Sequence, residues 1–170
     1  MHHSGLVFFI GFMGCGKSYW AKRMSQKLSV PFVDLDRHIE AKKGAKIPEI
    51  FSRDGESVFR RIEQEVLHEL NRNSFQGIVA CGGGTPCFFD NLAWMKQQGT
   101  VVFLKASLQT LEQRMGMLHD RPLIAQHRDN WASLKMLYES RRSFYEQADI
   151  EVEVDTLDDT IFAEILMPYV

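Results

Sequence analysis

The chain has 170 residues, 45% of them hydrophobic and 25% charged, with a formal net charge of -2. A chain of that length forms one domain with a sizeable core, and the balance excludes a disordered chain or a broad basic surface for nucleic acid. Cysteines at 15, 81 and 87 are odd in number and lack metal-ligand spacing, so a reducing cytoplasm is expected rather than a secreted disulfide framework.

In chain order, His2 and His3 come first, at a free terminus that makes a poor metal site. The apolar run LVFFI (6–10) has no positively charged segment before it and leads straight into GFMGCGKS (11–18), so it reads as a buried strand and not as a signal peptide. GFMGCGKS meets the full phosphate-loop pattern: two glycines separated by four residues, then Lys and Ser, with a strand before and a helical pattern (17–28) after. Glycines at 11, 14 and 16 let backbone N–H groups turn inward, and the helix dipole adds positive potential where phosphate oxygens would sit. Lys17 would reach the β- and γ-phosphates of a nucleotide, and Ser18 would offer its hydroxyl to Mg²⁺. Gly14, Cys15, Gly16, Lys17, Ser18 and Tyr19 are thus the expected ATP contacts, with Cys15 a small filler whose backbone matters more than its thiol.

The second strand, VPFVD (30–34), runs into DLD, where alternation along an extended segment would turn Asp34 and Asp36 to one side. One could serve a metal and the other a hydroxyl nucleophile; the alternative is a helix N-cap before RHIEAKK. Neither the third strand, which runs into CGGGTP, nor the fourth, which runs into LKAS, ends in an acid, so Asp34 is the residue best placed to share Mg²⁺ with Ser18. Helical spacing over 56–72 puts Phe59, Ile62, Val66 and Leu70 on one face, and leaves at most one of Arg60 and Arg61 to be solvated. Arg23, Arg53 and Arg72 read as solvated charges. The third strand, GIVAC (77–81), ends in Gly82, Gly83 and Gly84, which suit either close backbone approach by a ligand or a loose turn before Pro86.

Helical patterns at 88–98, 107–116, 130–147 and 158–167 alternate with strands TVVFL (100–104) and IEVEV (150–154). Strands alternating with helices make a parallel sheet covered on both faces, with ligands outside the carboxyl ends of the strands. The irregular stretch 116–129, GMLHDRPLIAQHRD, reads as a mobile loop. No repeat or low-complexity tract divides the chain, so 1–170 is taken as a single unit. Its expected partners are small molecules, not nucleic acid or membrane, and its expected state is a monomer.

Six segments together, GFMGCGKS, FVDLD, GESVFRRIE, CGGGTP, RPLI and YESRRSFYEQAD, resemble the shikimate kinase family in order and spacing over nearly the whole chain. The resemblance implies a three-layer α/β phosphate-loop kinase fold with a five-stranded parallel sheet, order 2-3-1-4-5, a lid over about 116–129 and a shikimate-binding segment over about 35–63. It implies transfer of the ATP γ-phosphoryl group to the shikimate 3-hydroxyl with Mg²⁺, in the route to chorismate and the aromatic amino acids. Carried over by position, Asp36 resembles the acid that binds the ring hydroxyls, and Arg60 and Arg141 resemble the fork for the shikimate carboxylate. Gly82, Gly83 and Gly84 give backbone contacts, while Phe51, Phe59 and Glu63 wall the pocket. Arg121 resembles the lid arginine that reaches the phosphates, and Arg114 the one that stacks on adenine; Ser18 and Asp34 resemble the metal-side residues.

Two departures stand out: RPLI replaces a more usual second Leu, and VDTLDDT after the last strand lacks the proline often found beside adenine. A gluconate-kinase-like enzyme is the nearer alternative, and DLD, FRRIE and CGGG argue against it. A non-catalytic nucleotide-binding module is the other, and it should have lost the acid or the arginines. A GTPase switch would show a guanine-reading NKxD, which the sequence lacks.

Overall fold

The computed structural model describes residues 5–115 and 131–170. Five strands, β1 (Leu6–Ile10), β2 (Phe32–Asp34), β3 (Gly77–Ala80), β4 (Thr100–Lys105) and β5 (Ile150–Glu153), form one sheet in the order β2-β3-β1-β4-β5. All pairings are parallel, with Phe8 opposite Val79 on one side and Val101 on the other. This is the expected order, and it puts β1 at the centre, where all five of its side chains are buried.

Alternation along β1 decides which helix covers which face. Phe9 stacks on Phe162 of α7 (Asp159–Leu166), centroids 5.4 Å apart, and Trp20 of α1 (Lys17–Leu28) meets the same Phe162 edge-on. Phe8 points the other way, to Trp94 of α4 (Asn91–Gln98), and Phe103, in register with Ile10, stacks on Tyr145 of α6 (Trp131–Tyr145). Helices α1 and α7 therefore lie on one face and α4 and α6 on the other. Each fully buried aromatic or branched side chain contributes about 1.5–3 kcal/mol. The chain leaves β1 toward one face and β3 toward the opposite one, so a crevice opens between their carboxyl ends.

Two helices stand where only the segment after 55 carried a helical reading. α2 (Leu35–Lys43) starts directly at the end of β2, and α3 (Ile47–Arg72) runs through a break at Gly55, whose φ of 82° and ψ of 169° are not helical. The 56–72 helix is the part of α3 beyond that break; of the four residues expected on its buried face, Phe59, Val66 and Leu70 are buried and Ile62 is partly buried. After β3, a single 3-10 turn (Thr85–Cys87) holds Pro86, and Phe88 is extended, so α4 begins at Asn91 rather than 88. α5 (Leu108–Met115) ends where the stretch 116–129, expected to be a lid, begins; that stretch, like His2 and His3, lies outside the described residues.

Candidate active site

The turn after β1 is shaped by contact from both sides. Gly11 has φ 143°, and a Cβ there would sit 2.6 Å from the Leu104 carbonyl oxygen and 2.9 Å from Cys15 Sγ. Cys15 is buried against it, a filler as expected. Gly16 is the N-cap of α1 in a left-handed conformation (φ 95°) that only glycine adopts at little cost, and no side chain caps the helix. The first N–H groups of α1 thus remain available for an anion, with the dipole in its favour. Lys17, the first helical residue, is buried, and its Nζ donates to the carbonyls of Gly11 (2.8 Å) and Phe12 (3.0 Å).

A cavity of about 610 Å³ lies in front of this turn, within the range of small-molecule sites. Gly14, Gly16, Lys17, Ser18 and Tyr19 line it from the loop and α1, and Arg114 and Val154 from the β4–β5 side. Arg114 donates from Nη1 to the Gly14 carbonyl (3.1 Å). Val154 stands on the side where the sequence offered no proline.

Asp34 and Asp36 both line the cavity, but not by strand alternation. β2 ends at Asp34, which caps α2: its Oδ1 accepts from the Arg37 N–H (3.1 Å) and its Oδ2 from the Ser18 hydroxyl. Asp36 lies in the first turn of α2. The N-cap alternative and the metal-side expectation thus fall on one residue. Asp36 follows two residues later, and among the described residues no cluster of three or more His, Cys, Asp or Glu could hold a metal. One hydroxyl and two carboxylates facing an open cavity nonetheless suit Mg²⁺, which takes few protein oxygens and fills its sphere with water and phosphate.

Behind Asp36 the protein itself crowds two of the three glycines, Gly82 and Gly84. A Cβ at Gly82 would fall 2.8 Å from Glu63 Oε1, 3.0 Å from Thr85 Oγ1 and 3.1 Å from Asp36 Oδ1. At Gly84 it would fall 2.5 Å from Arg60 Nη2, and at Gly83 3.4 Å from the Met13 backbone N and 3.7 Å from Arg141 Nη1. Gly82 and Gly84 are therefore bare because Glu63, Thr85, Asp36 and Arg60 close on them, which makes this a packed turn rather than a loose one, while a Cβ at Gly83 would make ordinary contacts.

Arg60 and Arg141 are both buried, whereas Arg61 is exposed, as the α3 face requires. Arg60 Nη1 donates to Glu63 Oε2 (2.9 Å), its Nε and Nη2 to Glu56 Oε1 (3.2 and 3.0 Å), and its guanidinium carbon lies 4.2 Å from the Phe88 ring centroid. Phe51 and Phe59 pack together beside it, centroids 4.7 Å apart. Burial pushes the Glu63 carboxyl up from its ordinary value, opposed by the Arg60 charge and by hydrogen bonds from Thr85 and Arg60. Arg141 Nη1 is buried without a hydrogen-bond partner among the described residues. Tyr145, one helical turn on, donates its hydroxyl to the Gly83 carbonyl (2.6 Å), and burial raises its pKa well above the ordinary value.

Some of these contacts were not legible in the sequence. Thr85 and Tyr145 were given no role there although both lie in segments that carried the resemblance, and Asn91, whose Nδ2 donates to the Thr85 carbonyl, drew no attention; a hydroxyl directly after three glycines was a usable signal. Arg23 and Arg53 are surface charges, paired with Asp159 and Asp54. Arg121 lies outside the described residues.

Comparison with known proteins gives this arrangement a family. A family model described as shikimate kinase matches residues 13–168. A shikimate kinase of Azobacteroides pseudotrichonymphae is 36% identical over 165 residues, 95% of this chain and 97% of that one. Among solved structures, shikimate kinase from Bacteroides thetaiotaomicron superposes with a TM-score of 0.85 at 32% identity over 96% of both chains. Shikimate kinase from Acinetobacter baumannii, crystallised in complex with shikimate, gives a TM-score of 0.85 at 32% identity over 95% of this chain and 90% of that one. With a phosphate loop at the centre of a 2-3-1-4-5 sheet and a match running almost from end to end, the chain belongs to the shikimate kinase family.

Proposed function

We infer that this chain transfers the γ-phosphoryl group of ATP to the 3-hydroxyl of shikimate, giving shikimate 3-phosphate and ADP on the way to chorismate and the aromatic amino acids. Family membership supports the reaction, and one observation supports the acceptor site: a buried, unpartnered guanidinium nitrogen on Arg141 beside Gly83, one residue from the glycine over which Arg60 is seated. A buried cationic donor left unpaired is costly, so the site calls for an anion, and two guanidinium groups suit the planar carboxylate of shikimate.

Phosphoryl transfer asks for position and charge more than for covalent chemistry. The α1 N-terminus and Lys17 would hold the β- and γ-phosphates, with Gly14, Cys15 and Gly16 giving backbone contacts and Tyr19 and Arg114 standing toward the nucleoside. Ser18 and Asp34 would hold Mg²⁺, directly or through water, and the ion when bound supplies positive charge against the phosphate oxygens. Asp36 would orient the attacking hydroxyl and accept its proton late, since a carboxylate is a weak base for an alcohol. Gly82, Gly83 and Gly84 would let the ring approach the backbone. Arg121, in the 116–129 segment proposed as a lid, would bring a further charge to the phosphoryl oxygens, so that transfer to water is disfavoured until the acceptor is present.

No helix among the described residues is long and apolar enough to cross a membrane. A cytoplasmic monomer acting on small molecules, without nucleic acid, is the corresponding proposal for its setting.

A coupled ADP-release assay tests the reaction. ADP should appear rapidly with ATP, Mg²⁺ and shikimate and only slowly with water as the acceptor; equal turnover with gluconate would overturn the acceptor assignment. The fork has its own test. Arg141→Ala should raise the shikimate KM about thirtyfold or more while the ATP KM moves less than about twofold, because only the acceptor carries the carboxylate. An acceptor without that carboxylate should bind variant and wild type alike; further loss with it would remove Arg141 from the fork.

A further inference from the structure

Thr85 has all three of its polar groups committed. It is fully buried; its N–H donates to the Gly82 carbonyl (3.1 Å), its carbonyl accepts from Asn91 Nδ2 (2.9 Å), and its hydroxyl lies 2.6 Å from Glu63 Oε1. A carboxylate oxygen only accepts, so the hydroxyl proton points at Glu63. Asn91, which fixes the turn from below, is itself fully buried at the start of α4.

Glu63 therefore divides its two oxygens, Oε1 on Thr85 and Oε2 on Arg60 Nη1. The terminal torsion of a glutamate is soft, so a single partner does not fix the carboxylate plane, whereas two on different elements do. This matters because the other holds on Arg60 are weaker guides. Glu56 is half exposed, so solvent competes for and screens the one oxygen that takes Nε and Nη2 of the buried Arg60. Phe88 and Phe59 lie under the guanidinium at 4.2 and 5.2 Å, and a ring face attracts a cation without setting how its N–H groups turn.

We propose that Thr85 is a positioning residue for the phosphoryl acceptor. Its hydroxyl holds Oε1 of Glu63, which keeps Oε2 on Arg60, and the guanidinium is thereby presented over Gly84 to the acceptor carboxylate. Thr85 touches neither substrate in this scheme. Burial alone would favour protonation of Glu63, and the donated hydrogen bond works against that. The inference rests on the reading of Arg60 and Arg141 as the carboxylate fork.

Steady-state kinetics on Thr85→Val, which keeps the shape, Thr85→Ala and Thr85→Ser separate the possibilities. With the hydroxyl gone, the shikimate KM should rise about tenfold, with kcat and the ATP KM changed by less than about threefold. Ser should restore the wild-type KM. An analogue with the carboxylate reduced to an alcohol should show the same KM in every variant. Wild-type turnover of shikimate is the control for the underlying reading: its absence would fail that reading, whereas normal wild-type turnover with an unchanged KM in a folded Val or Ala variant would overturn only the role of Thr85. If neither Val nor Ala folds while Ser is normal in both stability and KM, the hydroxyl is structural and the proposal is overturned.

Discussion

Asp36→Asn should lower kcat by at least about a hundredfold with the fold intact. Asn keeps the size of the side chain and removes both the charge and the proton acceptor. Asp36 stands in the first turn of α2, lines the cavity it shares with Lys17 and Ser18, and reaches to within 3.1 Å of where a Gly82 Cβ would be. It is therefore at the border between the nucleotide loop and the glycine turn, where a hydroxyl would attack. The competing role is a favourable charge at a helix N-terminus, worth about 0.3–1 kcal/mol. That role predicts a small loss of stability and an unchanged kcat. Thermal unfolding measured beside kcat tells the two apart: near-normal turnover in a slightly less stable protein would leave Asp36 only its place in the helix.

The sequence was most legible where the pattern was local. The apolar run 6–10, the phosphate loop and the helix after it keep their predicted bounds, because burial of a whole strand and the glycine turn are written in consecutive residues. Strand order followed from the family resemblance, not from periodicity. The region 35–55 was the main failure, for two physical reasons. α2 begins with no turn between it and β2, so Asp36 sits on a helix where an extended alternation was expected, and both readings bring the acids to the cavity. α3 is broken at Gly55, which hides the continuity of 47–54 with the amphipathic face beyond it. At the site, helical spacing left open which of Arg60 and Arg61 is solvated, and Arg60 was singled out by the family resemblance; the structure buries Arg60 and exposes Arg61. The link from Glu63 to Thr85 could not be read in advance, since a hydrogen bond across 22 residues has no periodicity.

Lys17→Met should cost still more, about a thousandfold in kcat/KM for ATP. The buried ammonium lies between the carbonyls of Gly11 and Phe12 and, at 3.9 Å, Cys15 Sγ, so the loop closes on its own lysine. Those carbonyls keep a desolvated cation tolerable and aim it at the mouth of the turn, where the phosphates would enter. One unit charge about 4 Å from another, at an effective dielectric of about 20, is worth about 4 kcal/mol, and a thousandfold in rate corresponds to about that. Met fills nearly the same space and removes the charge. It also leaves two carbonyls without this donor, at about 1–3 kcal/mol, so a fall in Tm of about 3–10 degrees should accompany the kinetic loss. Lys17→Arg separates charge from geometry: a planar guanidinium cannot take the place of a compact ammonium between two carbonyls, so it should restore little activity although the charge is kept. Full recovery with Arg would show that charge alone suffices, and a Met variant within tenfold of wild type would show that the helix N-terminus holds the phosphates without Lys17.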